Sequence, residues 1–347
     1  MNTQNLVLPS KAVVCEVAPR DGFQAEREWI PTEAKVNIIR ELAKTGVQSM
    51  EVTSFVHPQA IPQLRDAEQV VHQVQDLEGL KFRALVPNEK GAQRAIDSGI
   101  KKLKLMLSAT DSHSLSNANA KVVDAQNKLE PIIETAHKQD VKVGGSLSVA
   151  FGCPYEGKVH VEQLIPIIKR YEIMGITEIS LADTTGMANP KQVYDTLGVL
   201  KQEFPAITFS MHFHNTRGMA LANTFSALQQ GVIHFDSSIA GLGGCPYAPG
   251  ASGNIASEDL VHYLHEMGIE TGIDLQSLIH TADYTKQVIG HDGGSYMLQA
   301  GPCSLLSSKP ASQEKMVKKI TCFFILIERC KEFSENTLIN RKSSFKM

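Results

Sequence analysis

His212 and His214 are separated by one residue at the end of an apolar, β-branched run, in the tetrapeptide HFHN. Residues i and i+2 of a strand share a face, so this spacing aims two imidazoles the same way and turns Phe213 to the other side. A lone histidine is usually a satisfied core or surface residue. Two in phase at a strand end, with a carboxylate and an amide within reach, point to a bound cation. Asp21, in APRDGFQ, and Asn254, closing the stretch IAGLGGCPYAPGASGN, are the partners available. An Asp, His, His, Asn set is mixed N/O without thiolate, which suits an octahedral divalent ion such as Mg²⁺ or Mn²⁺ with positions open to substrate. Zinc, cobalt or Fe(II) is also compatible with it.

The stretch 239–254 has five glycines and two prolines around Cys245. Its backbone is free to take φ > 0 in places and is fixed in others, so it cannot be the interior of a helix or strand. It reads as a shaped loop carrying one soft acid or nucleophile; the plainer alternative is a surface turn. Arg20 and Asp21 directly follow the first apolar run, where Gly22 permits a sharp turn, and alone they would pass for a surface ion pair. Glu51 lies inside the second run, in MEVTSF, where a buried carboxylate requires a cation such as Arg20. Asn88 follows the third run, and Asp183 and Thr184 follow the sixth, in ISLADTTG, as a helix cap or an acid behind the site.

Eight short strand-like runs could position these groups: 12–17, 49–53, 81–86, 102–107, 142–149, 178–182, 208–214 and 235–238. Segments of helical periodicity fall between them at 32–45, 63–75, 91–98, 122–139, 161–174, 190–203 and 219–230. Such alternation predicts a parallel sheet with crossover helices, and eight units favour an α/β fold of the (β/α)₈ barrel type, a TIM barrel. No GxGxxG follows the first run, which removes the main support for a dinucleotide-binding sheet. In a barrel the chemistry sits at the C-terminal ends of strands, where each candidate above falls. Residues 1–10 read as an arm, 11–300 as the barrel, and 301–347 as an extension, either a covering helix or partly disordered.

The chain has 347 residues, 42% hydrophobic and 20% charged, enough for a sizeable core, and its net charge of -3 carries no basic footprint for nucleic acid or membrane. Six cysteines without CxxC spacing argue against a zinc ribbon or disulfide scaffold and suit a reducing, cytoplasmic setting. The N-terminus lacks the features of a signal or transit peptide, and no apolar run approaches the roughly 18 residues of a membrane span.

Taken together, EVAPRDGFQ (16–24), EVTSFVHP (51–58), GCPYEG (152–157), EISLADTTG (178–186), HFHN (212–215), ALANT (220–224) and AGLGGCPYAPGASGN (240–254) resemble the 3-hydroxy-3-methylglutaryl-CoA lyase family over residues 13–275. The resemblance implies a divalent metal, Mg²⁺ or Mn²⁺, on Asp21, His212, His214 and Asn254. It implies catalytic roles for Arg20, Cys245, Asp21, Glu51 and His212, with Arg20 steadying a thioester enolate, Glu51 supporting it, and Cys245 on a closing loop as proton donor. Arg20, Asn88, Thr184 and Asp183 are expected to contact substrate. The implied reaction is retro-Claisen cleavage of (S)-3-hydroxy-3-methylglutaryl-CoA to acetyl-CoA and acetoacetate, as in leucine degradation, by a homo-oligomer, expected to be a dimer. Asp21, His212 and a water on the metal all stand as acceptors for the hydroxyl proton.

Two departures bear on the substrate. Ser146 stands where the family commonly has an aromatic residue, and the chain reads HNTRGM from His214 where the family usually reads His-Asp-Thr-Tyr-Gly-Gln. A lost ring and an added cation at Arg217 would suit a related acyl-CoA such as citramalyl-CoA. A Claisen-condensing acyltransferase of the isopropylmalate or citramalate synthase type would share the barrel, the Arg-Asp pair and the HxH.

Overall fold

The computed structural model describes residues 7–244 and 253–307. Each of the eight expected runs forms a strand of one closed parallel barrel. The barrel strands are β1 (Val13–Glu16), β2 (Ser49–Ser54), β3 (Lys81–Leu85), β4 (Lys102–Ser108), β5 (Lys142–Ser148), β8 (Glu178–Asp183), β9 (Thr208–Phe213) and β10 (His234–Ser237). Closure is made by β1, which pairs in parallel with β10 on one side and β2 on the other. A small antiparallel hairpin, β6 (Gly152–Cys153) and β7 (Gly157–Lys158), follows β5.

Helices wrap the barrel, and two differ from expectation for local reasons. The periodic segment 122–139 is two helices, Val122–Asn127 and Glu130–Lys138, because Pro131 lacks an N–H and can only sit in a first helical turn. Asp111–Ala118 is helical although its sequence, DSHSLSNA, carries almost no apolar period. After β10 the helices Ser257–Glu266, Leu275–Ile289 and Tyr296–Ala300 complete the chain's main unit, residues 1–301. Of the second unit, residues 302–347, the described part is a turn in which Leu305 N–H donates to the Pro302 carbonyl at 2.9 Å. The rest of the expected extension lies outside the described residues.

The outward side chains of the strands are apolar and buried beneath the helices, among them Met50, Val52, Leu103, Leu105 and Phe235. Barrel interiors are ordinarily filled with branched aliphatic side chains. This one holds ions. Glu51 of β2, Arg83 of β3, Lys104 of β4 and Asp236 of β10 meet one another, which side chains from non-adjacent strands can do only through the interior. A register shift between Glu51 and Thr53 in the β2/β3 ladder marks a local irregularity of the strand beside that carboxylate.

Candidate active site

The chain leaves β1 through one π-helical turn, Ala18–Gly22, opened by Pro19. Phe23 N–H reaches back five residues to the Ala18 carbonyl, and both Arg20 and Asp21 donate their N–H to the Val17 carbonyl. Single π turns are frequent at functional sites. Arg20 is buried, bonded through Nε to Glu51 Oε1 and through Nη1 to Asp21 Oδ1. Burial alone would raise the pKa of Glu51, but Arg20, Lys104 and Arg83 outweigh it and hold the carboxylate well below the usual range. It is a permanent anion.

At the end of β9 the imidazoles of His212 and His214 lie side by side, with their Nε2 atoms 3.2 Å apart. Asp21 Oδ2 is 3.8 Å from each. Asn254 is carried to the same place by its own backbone, paired with His214 in an isolated antiparallel bridge, and its Nδ2 donates to Asp21 Oδ2 at 2.8 Å. Gly243 permits this approach. It sits at φ +102°, and a Cβ there would stand 2.4 Å from Asn254 Nδ2 and 3.0 Å from Asp21 Oδ2.

The donor set fits a divalent cation. Asn254 Oδ1 and His214 Nδ1 are buried without a hydrogen-bond partner among the described residues, and two imidazole Nε2 atoms face one another with at most one proton between them. Burial, then the neighbouring His212, pushes His214 down to about 3, so it is neutral at pH 7, the state that can ligate. His212 Nδ1 lies 3.3 Å from Asp236 Oδ2. A carboxylate only accepts, so the proton rests on Nδ1 and leaves the Nε2 lone pair facing Asp21 and His214. Asp236 is itself held well below the ordinary carboxylate range, because Arg83 and Lys104 overcome the effect of burial.

A cavity of about 1090 Å³ opens onto these groups. Arg20, Asp21, His212, His214, Lys104, Ser146 and Thr184 line it, and its walls also include His113, Asn117 and Ala118 from the Asp111–Ala118 helix. Thr184 Oγ1 also accepts from Val149 N–H at 3.0 Å. Asp183 is buried outside the cavity wall and is not the helix cap weighed for it: its Oδ1 receives the N–H groups of Met187 (2.7 Å) and Ala188 (3.1 Å) in the turn before the helix Pro190–Glu203, which Asn189 caps. Asn88 is spent as a helix cap, accepting from Gly91 N–H at 2.9 Å, and is exposed outside the cavity wall, unlike its neighbour Pro87. Arg217 does not enter the cavity wall either; its Nη1 donates to the carbonyls of Thr185 (2.8 Å) and Gly186 (3.0 Å). Cys245 lies outside the described residues, while Gly243 and Gly244 just before it line the cavity.

Sequence reasoning overlooked Arg83, Lys104 and Asp236. The signal was present as charges in the inward phase of otherwise apolar strands, KFRAL, KLKLMLS and HFDS, where an isolated ion would be expensive and a network is therefore implied.

A parallel barrel with a carboxylate, two imidazoles and an amide gathered at the C-terminal ends of its strands, beside a buried arginine and above an ionic interior, defines a barrel enzyme built around a divalent cation. The HMGL-like family model matches residues 11–285, and the chain belongs to that family. The hydroxymethylglutaryl-CoA lyase YngG of Bacillus subtilis is 43% identical over 84% of this chain and 97% of its own length. The human mitochondrial hydroxymethylglutaryl-CoA lyase is 39% identical over 84% of this chain and 90% of its own. An HMG-CoA lyase from Acinetobacter baumannii, solved with coenzyme A and 3-methylmalate, superposes with a TM-score of 0.83 at 40% identity, covering 87% of this chain and 98% of that one.

Proposed function

We propose that the protein is a divalent-metal-dependent carbon-carbon lyase that splits (S)-3-hydroxy-3-methylglutaryl-CoA into acetyl-CoA and acetoacetate. The observation that carries this reading is the convergence of Arg20, Asp21, His212 and His214 on one cavity of about 1090 Å³, with Asn254 bonded to Asp21. The reaction must deprotonate a tertiary hydroxyl, stabilise a thioester enolate and return a proton to carbon. A divalent ion on those four side chains, Mg²⁺ or Mn²⁺, would supply Lewis acidity toward the hydroxyl and carbonyl oxygens.

The chain's own groups take the other parts. Arg20 brings a charge that does not titrate near neutral pH, clamped by Glu51 and Asp21 and facing the cavity, where it can meet the enolate oxygen. Asp21 or His212 accepts the hydroxyl proton, both lying on the cavity wall. Thr184 and Ser146 flank the acyl group, and Cys245, on the glycine-rich loop, delivers the proton to the departing carbon. A homodimer belongs to the same reading through the resemblance to the lyase family, and a cytoplasmic setting fits the bacterial relative.

A second reading is a lyase for a related acyl-CoA such as citramalyl-CoA. It is favoured by Ser146 on the cavity wall, a small hydroxyl where the lyase family commonly has a ring. A steady-state comparison of 3-hydroxyacyl-CoA thioesters under Mg²⁺ and Mn²⁺ decides between them. Hydroxymethylglutaryl-CoA is expected to give the highest kcat/KM, and better turnover of citramalyl-CoA would transfer the assignment. Release of free CoA from acetyl-CoA plus a 2-oxo acid would mark a condensing acyltransferase instead. Cys245→Ser is expected to lower kcat by orders of magnitude with Mn²⁺ affinity unchanged; full activity would remove Cys245 from the mechanism.

A further inference from the structure

The active site has two arms that do not touch the same strand. One runs from Glu51 of β2 to Arg20; the other runs from Asp236 of β10 to His212. Lys104, from β4 on the far side of the barrel, joins them. Its Nζ stands 2.9 Å from Asp236 Oδ2 and 3.2 Å from Glu51 Oε2. Arg83 spans the same two carboxylates, with Nε 2.7 Å from Glu51 Oε2 and Nη2 2.8 Å from Asp236 Oδ1. Lys104 is 5% exposed, Glu51 0% and Asp236 2%, so these ions are held almost without water.

We infer that Lys104, seconded by Arg83, is a positioning residue that couples the cation site to Arg20 through the barrel interior. The inference rests on the assignment of the cation to Asp21, His212, His214 and Asn254. Asp236 Oδ2 receives both the Lys104 ammonium and the His212 Nδ1 proton. The carboxylate is therefore fixed in place against His212 Nδ1, which turns the Nε2 edge of the ring toward the ligand cluster. Glu51 likewise is placed between Lys104 and the Arg20 Nε. A truncation at position 104 loosens two anchors at once, although Lys104 touches neither a ligand atom of the cation nor the Arg20 guanidinium. Groups outside a metal's ligands that orient them commonly change its affinity by about 10–100-fold when removed.

The test is Mn²⁺ titration of the full chain followed by electron paramagnetic resonance, with ¹⁵N-histidine spectra of the metal-free protein reporting the tautomer of His212. Wild type is expected to bind one Mn²⁺ and to show His212 protonated at Nδ1. Lys104→Met, which keeps the length of the stem and removes the charge, is expected to weaken Mn²⁺ binding by about tenfold or more and to mix the His212 tautomers. Lys104→Arg, which retains a cation between the two carboxylates, is expected to recover most of the affinity. If Lys104→Met does not fold, Arg83→Met is read in the same two assays and should move both in the same direction. Unchanged Mn²⁺ affinity and tautomer in a folded variant, or a rise in KM for acyl-CoA alone, would overturn the inference and make Lys104 a structural or substrate-contacting residue. Failure of wild type to bind Mn²⁺ would instead overturn the proposed function.

Discussion

At the scale of single residues, the site works by making ions that cannot titrate away. Arg20 is flanked by Glu51 and Asp21, and Glu51 in turn by Arg83 and Lys104. Buried charges that lose one partner are costly, about 3–5 kcal/mol, because the remaining charge is stranded without water. Glu51→Gln keeps the shape and removes the anion facing three cations. It is expected to lower kcat by about 10²–10³-fold and to reduce stability, with the Mn²⁺ site less affected; kinetics beside thermal melting would show it. Wild-type turnover in Glu51→Gln would mean that Arg20 needs no carboxylate to hold it.

At the scale of elements, the loops after the strands decide which groups join the paired imidazoles. Gly243 brings its loop against Asn254 and Asp21 at a φ that disfavours any side chain. Gly243→Ala is expected to cost about 2 kcal/mol or more from left-handed strain and overlap, and to weaken Mn²⁺ binding by displacing Asn254. Melting and Mn²⁺ titration report the two effects separately, and unchanged affinity would separate that loop from the cation site. Arg217 presents the opposite case. Its guanidinium ties the loop after β9 to the carbonyls after β8. Arg217→Gln is therefore expected to leave KM for the acyl-CoA unchanged and to lower the melting temperature slightly; a several-fold rise in KM would place this side chain on the substrate after all.

At the scale of the whole molecule, two buried carboxylates knit the closing segments to the barrel. Glu16 receives Ala18 N–H, Ile239 N–H and the Ser257 hydroxyl, while Glu258 receives Ala240 N–H from a residue held at φ 56°. Burial raises Glu16 to about 7 and Glu258 to about 8. A carboxyl whose folded pKa lies above its unfolded value binds its proton more tightly in the native state. Its contribution is complete below the unfolded pKa near 4.5 and is lost as pH rises through about 7 for Glu16 and about 8 for Glu258. The melting temperature of the metal-free protein is expected to fall across that window, and Glu258→Gln to flatten the fall. Equal slopes for the two proteins would show that Glu258 is already ionised at neutral pH.

The barrel was legible because its cause is local: eight apolar runs bounded by turns, alternating with helical periods, admit few other closed arrangements. The two in-phase imidazoles were legible for the same reason, since a period of two is a property of any strand. What the tertiary structure alone decided is who stands opposite whom across the barrel. Lys104 and Asp236 are 132 residues apart in the chain and meet at 2.9 Å because closure faces β4 toward β10. Asn88 and Asp183 had the right chemistry for substrate contact, yet local backbone N–H groups claimed them first, and Arg217 was drawn to carbonyls rather than to the cavity. Residue types and phases are written along the chain, whereas desolvation and charge pairing arise only when strands distant in sequence close around a common interior.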